Sequence, residues 1–385
     1  MDLVPIAIIG GVLLLLSAVA VALGLMPPTD VLAIADRVWP ILLFVVAITV
    51  VAELAAGAGV FDVASAFLAR VARGRVWLLW LLIVGLAIVS TAFLSLDTTA
   101  VLFTPVVVAV ARAHRLDPLP FAFTTVWLAN TASLVLPVSN LTNLLAVERL
   151  GIDVGTFVTL LGPSALMAIA VTVALLWIAF HRRLQGRFSL ARAPEIGDRT
   201  LSWIAGAVVV VLLPLLVSGI PPWLPALGAA VVLLLVYIWR FPRALRPSLV
   251  PWQLVVFASG LFLAVGVLEA LGARAVLGAL SGTGDDLVAL WRLSGVGMLG
   301  ANAVNNLPAY LALEGGADSP ARVGALLIGV NAGPLITPWA SLATILWHSR
   351  LTSAGVTVSW KQFALLGLVA APITVGLAVL PLAIR

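Results

Sequence analysis

Two stretches of this chain carry amides and hydroxyls inside otherwise apolar spans, and they share a spacing. The first runs Asn130-Thr-Ala-Ser-Leu-Val-Leu-Pro137-Val-Ser-Asn-Leu-Thr-Asn143, the second Asn331-Ala-Gly-Pro-Leu-Ile-Thr-Pro338-Trp-Ala-Ser-Leu-Ala-Thr344. Each sets an Asn seven residues ahead of a Pro and follows the Pro with small polar residues. Proline removes a backbone donor and breaks a helix, freeing carbonyls upstream. In a membrane such a break persists only where it lines protein or a wet cavity. The freed carbonyls, with Asn130, Ser139, Asn140, Thr142, Asn143, Asn331, Thr337, Ser341 and Thr344, are groups that bind a solute or an ion, or that satisfy the broken backbone.

Two further polar clusters, Ser95-Leu96-Asp97-Thr98 and Asn302-Ala-Val-Asn305-Asn306, interrupt apolar runs in the same way. Together the inventory contains no Lys or Arg, which suits a small neutral polyhydroxyl solute or an ion held by carbonyls. Broken-helix N-termini also attract negative charge, so an anion stays open. Three acids, Glu53, Asp97 and Glu269, fall at membrane depth. A carboxylate there is costly and usually functional, so these are candidates for proton coupling, Asp97 first because hydroxyls flank it.

The surrounding chain is 63% hydrophobic and 10% charged, with mean hydropathy +1.20, which excludes a soluble domain. The first apolar run reads as a retained membrane helix, since no basic segment precedes it and no small-residue cleavage site follows. The net charge of +5 does not mark a nucleic-acid binder, because the basic residues sit in short segments between apolar spans. Cysteine is absent, and His114, His181 and His348 fall in predicted loops, so no metal site or cofactor is expected. No nucleophile–base pair or phosphate loop points to an enzyme.

Five segments, 61–76, 112–117, 181–200, 240–247 and 348–361, hold fifteen of the 21 basic residues. Placed in the cytoplasm by the positive-inside rule, they fix the crossings. Segment 76–111 has both flanks on one side and a tip at Ser95–Thr98, so it reads as a re-entrant hairpin. Segment 285–314 reads as a second hairpin entering from the acidic, opposite side. Full spans are expected near 3–25, 38–58, 120–147, 156–180, 201–219, 223–239, 250–271, 321–347 and 362–383, with breaks in 120–147 and 321–347. The N-terminus then lies in the cytoplasm and the C-terminus outside.

The halves align beyond the polar motifs: Trp39-Pro-Ile-Leu-Leu-Phe44 pairs with Trp252-Gln-Leu-Val-Val-Phe257. The expected fold is an all-α polytopic membrane protein of two inverted repeats, 1–180 and 223–385, joined by a basic linker and linking helix at 181–222. Each repeat holds one hairpin and one discontinuous helix, the arrangement that marks a secondary transporter's midplane site.

At these residues the chain resembles the bacterial arsenite efflux permeases. Asn331–Trp347 is similar to that family's Gly-Pro-x-x-Thr-Pro-x-Gly-Ser-Leu-Ala-Thr-Leu-Leu-Trp segment, Asn130–Asn143 to its first-half partner, Asn305-Asn306-Leu-Pro308 to its Asn-Asn-Met-Pro, and Val358-Ser-Trp360 to its Ile-Ser-Trp. Ser95-Leu96-Asp97-Thr98 keeps only the acid of the family's Asn-Asn-Asp-Gly tip, and Ala340 replaces a Gly. The family belongs to the ion transporter superfamily, with sodium/dicarboxylate symporters. The resemblance implies a scaffold and a mobile transport domain moving by an elevator step in a bacterial inner membrane. It also implies export of arsenite or antimonite as the trihydroxide against protons, a homodimer formed through the scaffold, and an arsenical-pump ATPase as partner. The residues alone leave open a sodium- or proton-coupled carboxylate carrier and a cation/proton antiporter on the same fold.

Overall fold

The structure is a computed structural model describing residues 4–190, 197–272 and 280–384. Arg192, Arg274 and Arg385 of the charge argument, and the opening Met1-Asp2-Leu3, lie outside the described residues. Among the described residues the elements are helical, and eight helices are long and apolar enough to cross a bilayer.

The first half runs α1 (Val4–Ala22), α2 (Pro28–Gly57), α3 (Val60–Val71), α4 (Val76–Leu94), α5 (Leu96–Ala113), α6 (Leu119–Thr131), α7 (Leu141–Leu150) and α8 (Val154–Phe180). α9 (Arg199–Leu215) follows. The second half runs α10 (Trp223–Arg240), α11 (Trp252–Ala270), α12 (Leu287–Val304), α13 (Asn306–Glu314), α14 (Pro320–Ala332), α15 (Leu342–Ser353), α16 (Trp360–Ala378) and a last turn, α17 (Leu380–Ala383).

These helices pack in two groups. In one, α1 lies along α11 and α2 along α10. α1 and α11 meet backbone to backbone: a Cβ on Gly10 would stand 2.5 Å from the Phe257 Cα, and one on Gly260 would collide with the Gly10 carbonyl. Small residues permit that approach in a membrane, where close packing rather than hydrophobicity joins helices. The Tyr237 hydroxyl fastens α10 to α2 by donating to the Leu54 carbonyl at 2.7 Å. In the other group α12 packs on α14, α8 on α16, and α4 on α6. Its core includes Phe123 against Trp347 and Phe363, with Trp347 Nε1 donating to the Ala122 carbonyl at 2.8 Å. Apolar side chains such as Leu15, Trp203 and Leu235 cover the outside, as contact with lipid chains requires.

The five basic segments meet at one end of the molecule. Phe188 N donates to the Gly74 carbonyl at 2.8 Å, Arg183 pairs with Asp117 at 2.7 Å, Arg240 with Asp198 at 2.9 Å, and Arg112 donates to the Gly355 carbonyl at 3.0 Å. At the opposite end, Asp153 caps α8, and the Thr156 backbone N–H holds its carboxyl below the ordinary carboxylate range.

Two elements differ from the sequence expectation. α2 begins at Pro28, ten residues ahead of the expected span, so Asp30, Asp36 and Arg37 ride on a helix and not in a loop. Pro at the first helical position and Asp30 in the first turn were the start signal. Segment 61–76, read as a loop, contains α3, whose apolar residues recur at helical spacing and bury Phe61, Ser65 and Ala69.

Candidate functional site

Four chain breaks converge. The tip between α4 and α5 is Ser95, with φ 87° and ψ 159°; the tip between α12 and α13 is Asn305, with φ 124° and ψ 155°. Both backbone conformations belong almost only to glycine and cost about 1–3 kcal/mol for another residue. Two side-chain-bearing residues occupy them, one in each half, which makes these tips candidates for a functional role. The Ser95 hydroxyl accepts from Thr98 N at 3.4 Å and the Asn305 side-chain Oδ1 from Leu307 N at 3.3 Å, so each residue starts its following helix.

The other breaks are equally matched. α6 ends at Thr131 and the chain resumes as α7 after Asn140, which is extended at φ −151°, ψ 144°. α14 ends at Ala332 and the chain resumes as α15 after Ser341, extended at φ −143°, ψ 141°. Backbone groups exposed by each break find side-chain partners. Asn143 Nδ2 donates to the carbonyls of Ser133 at 2.6 Å and Leu136 at 3.0 Å. Asn302 donates to the Gly333 carbonyl at 2.8 Å and accepts from Ile336 N at 3.2 Å and Thr337 N at 3.1 Å. Thr337 returns its hydroxyl to the Asn302 carbonyl at 2.7 Å, and Ser139 donates to the Ala92 carbonyl at 2.8 Å. Asn331 ties the two breaks together: its Oδ1 accepts from Asn140 Nδ2 at 3.0 Å and the Thr142 hydroxyl at 2.8 Å, and its Nδ2 donates to Asn143 Oδ1 at 2.8 Å.

These breaks and α2 wall a cavity of about 60 Å³, with Thr49, Ser95, Asp97, Asn140, Asn305, Asn306 and Ser341 as its polar lining. Asp97 Oδ1 and Ser341 Oγ are buried and meet no hydrogen-bond partner among the described residues. No Lys or Arg lines it. To the apolar lining that Leu141, Leu307 and their neighbours supply from the breaks, α2 and α11 add Phe44, Ile48, Leu254 and Phe257. Sequence reasoning did not place these in a site, yet Phe44 and Phe257 are the aligned ends of the Trp39 and Trp252 motifs. That alignment was the available signal.

The expected residues thus divide. Ser139, Thr142, Asn143, Asn302, Asn331 and Thr337 hold the breaks and do not line the cavity. Asn130 donates within α6 to the Val126 carbonyl at 2.9 Å, and Thr344 is buried behind Ser341; neither reaches the cavity. Thr98 and Glu53 line a second cavity of about 160 Å³ that shares Thr49, Asp97, Leu254 and Leu342 with the first and extends to Arg350 at the basic end. Glu269 lies at the opposite end, with Arg37, Glu148 and Glu314 around a shallow opening.

The candidate site is therefore a small pocket lined by hydroxyls, amides and one carboxylate, with a cavity of about 160 Å³ beside it toward the basic end and one of about 290 Å³ toward the other. Residues 2–344 match the family described as citrate transporter (CitMHS). The arsenical pump membrane protein of Escherichia coli strain K12 is 29% identical over 92% of this chain and 88% of its own. Another Escherichia coli arsenical pump membrane protein is 30% identical over 94% and 89%. An uncharacterized transporter of Mycobacterium tuberculosis is 25% identical over 90% and 86%.

Proposed function

We propose that this chain, which belongs to the citrate transporter (CitMHS) family, exports arsenite or antimonite as the neutral trihydroxide in exchange for protons. It is a multi-pass membrane transporter; the solute and its coupling are the proposal. The cavity itself carries the reading. A water-sized group takes roughly 10–15 Å³ of such space, so about 60 Å³ admits about four groups, the size of a pyramidal trihydroxide. Ser341 Oγ and Asp97 Oδ1 offer unused hydrogen-bonding capacity to three hydroxyls. Relatives named arsenical pump membrane protein, matched over most of both chains, support the same solute.

Citrate is the second reading, favoured by the family's description. It meets this lining poorly: no Lys or Arg stands among the pocket's own residues to pair with carboxylates, and the nearest lining cation, Arg350, belongs to the second cavity. Proton coupling is assigned to Asp97, which lines both cavities. A carboxylate at that depth needs a cation beside it, and a proton is the smallest.

The matched geometry of Ser95 with Asn305, and of Asn140 with Ser341, supports two inverted repeats, 1–180 and 223–385. The hairpins and broken helices form the moving part and α1, α2, α10 and α11 the scaffold, since the cavity lies between those groups. The end that gathers the basic segments faces the cytoplasm of a bacterial inner membrane.

Expressed in a host lacking its own arsenite export, the chain should raise the tolerated arsenite and antimonite concentrations by about ten-fold and leave sodium tolerance unchanged. Unaltered arsenite tolerance, together with sodium-dependent citrate uptake, would transfer the assignment to the second reading.

A further inference from the structure

Away from the basic end, an ion-pair cluster stands above the pocket, beside a cavity of about 290 Å³ that Arg37 and Glu148 line and that reaches the pocket residues Phe44 and Leu144. Arg37 on α2 is its hub. Its Nε meets Glu148 of α7 at 2.6 Å, and its Nη1 and Nη2 meet the two carboxylate oxygens of Glu314 on α13 at 3.1 and 3.3 Å. Arg149 Nη1 approaches Glu314 at 3.9 Å, and its Nη2 is fixed by the Ala317 carbonyl at 3.0 Å. The Glu314 side chain is only 10% exposed, so this fork is shielded from solvent.

The three elements joined are the ones that matter for access. α2 supplies the apolar wall of the pocket through Phe44 and Ile48, α7 follows the first break, and α13 follows the second hairpin tip. Arg37 stands seven residues from Phe44, Glu148 four from Leu144, and Glu314 seven from Leu307, all three of them pocket residues. At 1.5 Å per residue the charges lie about 6–10 Å along their helices from the pocket. The charges thus form one layer across the mouth on that side. Toward the basic end no such layer exists among the described residues: Glu53 and Arg350 line the second cavity without an ion pair between them.

We propose that Arg37, bridging Glu148 and Glu314, is the gate that shuts the pocket from the side opposite the basic segments, and that its ion pairs must separate before the pocket opens there. The proposal rests on the transporter reading for its purpose, but its test needs no solute. The chain has no cysteine, so Leu254→Cys, in the pocket wall, is a single reporter for a membrane-impermeant maleimide. In vesicles of known sidedness the reporter should label from the basic side and stay protected from the other. Adding Arg37→Gln should raise labelling from the protected side about ten-fold, Glu314→Gln should act in the same direction, and Arg37→Lys should restore most of the protection. Asp36→Asn, one residue away, should change nothing. If both neutral variants fold, as judged by a single symmetric elution peak, yet leave the protected side unlabelled, the cluster is a structural staple and the gate is overturned. That failure leaves arsenite export untouched, and loss of arsenite tolerance alone would leave the gate standing.

Discussion

Asp97→Asn is expected to reduce proton-driven arsenite uptake by everted vesicles to the level of empty vesicles. The substitution keeps the size of the side chain and removes only its capacity to gain and lose a proton. Asp97 stands one position into α5, lines the pocket and the cavity leading to the basic end, and has an oxygen with no protein partner. A residue that carried only structure would be tied to backbone N–H groups; here that task belongs to the Ser95 hydroxyl, which accepts from Thr98 N. Exchange of arsenite down its own gradient should survive the substitution, because an amide in place of the carboxyl still offers the solute's hydroxyls a hydrogen bond but carries no proton across. Gradient-driven uptake at the unsubstituted level would remove Asp97 from the mechanism.

The second large effect falls on stability. Asn331 is fully buried and makes three hydrogen bonds to Asn140, Thr142 and Asn143. Asn331→Leu strands all three partners between the two breaks. A buried polar group left unsatisfied costs about 1–3 kcal/mol, and Asn140 keeps a weaker contact to Ser133 at 3.3 Å, so a net loss of roughly 3–5 kcal/mol is expected. In detergent this should appear as a fall of at least roughly 5 °C in unfolding midpoint. Asn331→Asp should also destabilise, since it sets a second acceptor against Asn143 Oδ1 at the 2.8 Å contact. An unchanged midpoint in both variants would mean that the breaks are held without Asn331.

Much of the fold was legible because its signals are local. Apolar length and flanking charge placed α8, α10 and α11 to within a few residues, at 156–180, 223–239 and 250–271 against Val154–Phe180, Trp223–Arg240 and Trp252–Ala270. The same rule misplaced the start of α2, because Asp30, Asp36 and Arg37 look like loop residues unless the partners of Arg37, Glu148 and Glu314, are known. Those partners lie more than a hundred residues away in the chain.

The site was legible as a set and not member by member. Polarity and the Asn–Pro spacing pick out Asn140 and Asn143 alike, yet Asn140 lines the pocket and Asn143 bonds two carbonyls of its own break. Within a helix, periodicity tells which face a residue presents. Across a break the backbone turns irregularly, and that inference fails. Asn302 and Asn305 divide the same way, three residues apart: Asn302 bonds the Gly333 carbonyl, and Asn305, the positive-φ residue, lines the pocket.

The most direct measurement is uptake of arsenite by everted membrane vesicles containing this chain, energised with an imposed proton gradient. Accumulation above that of empty vesicles, collapsing when a protonophore is added, is the predicted result. No accumulation beyond empty vesicles, with citrate entering under a sodium gradient instead, would contradict a pocket built for a neutral trihydroxide.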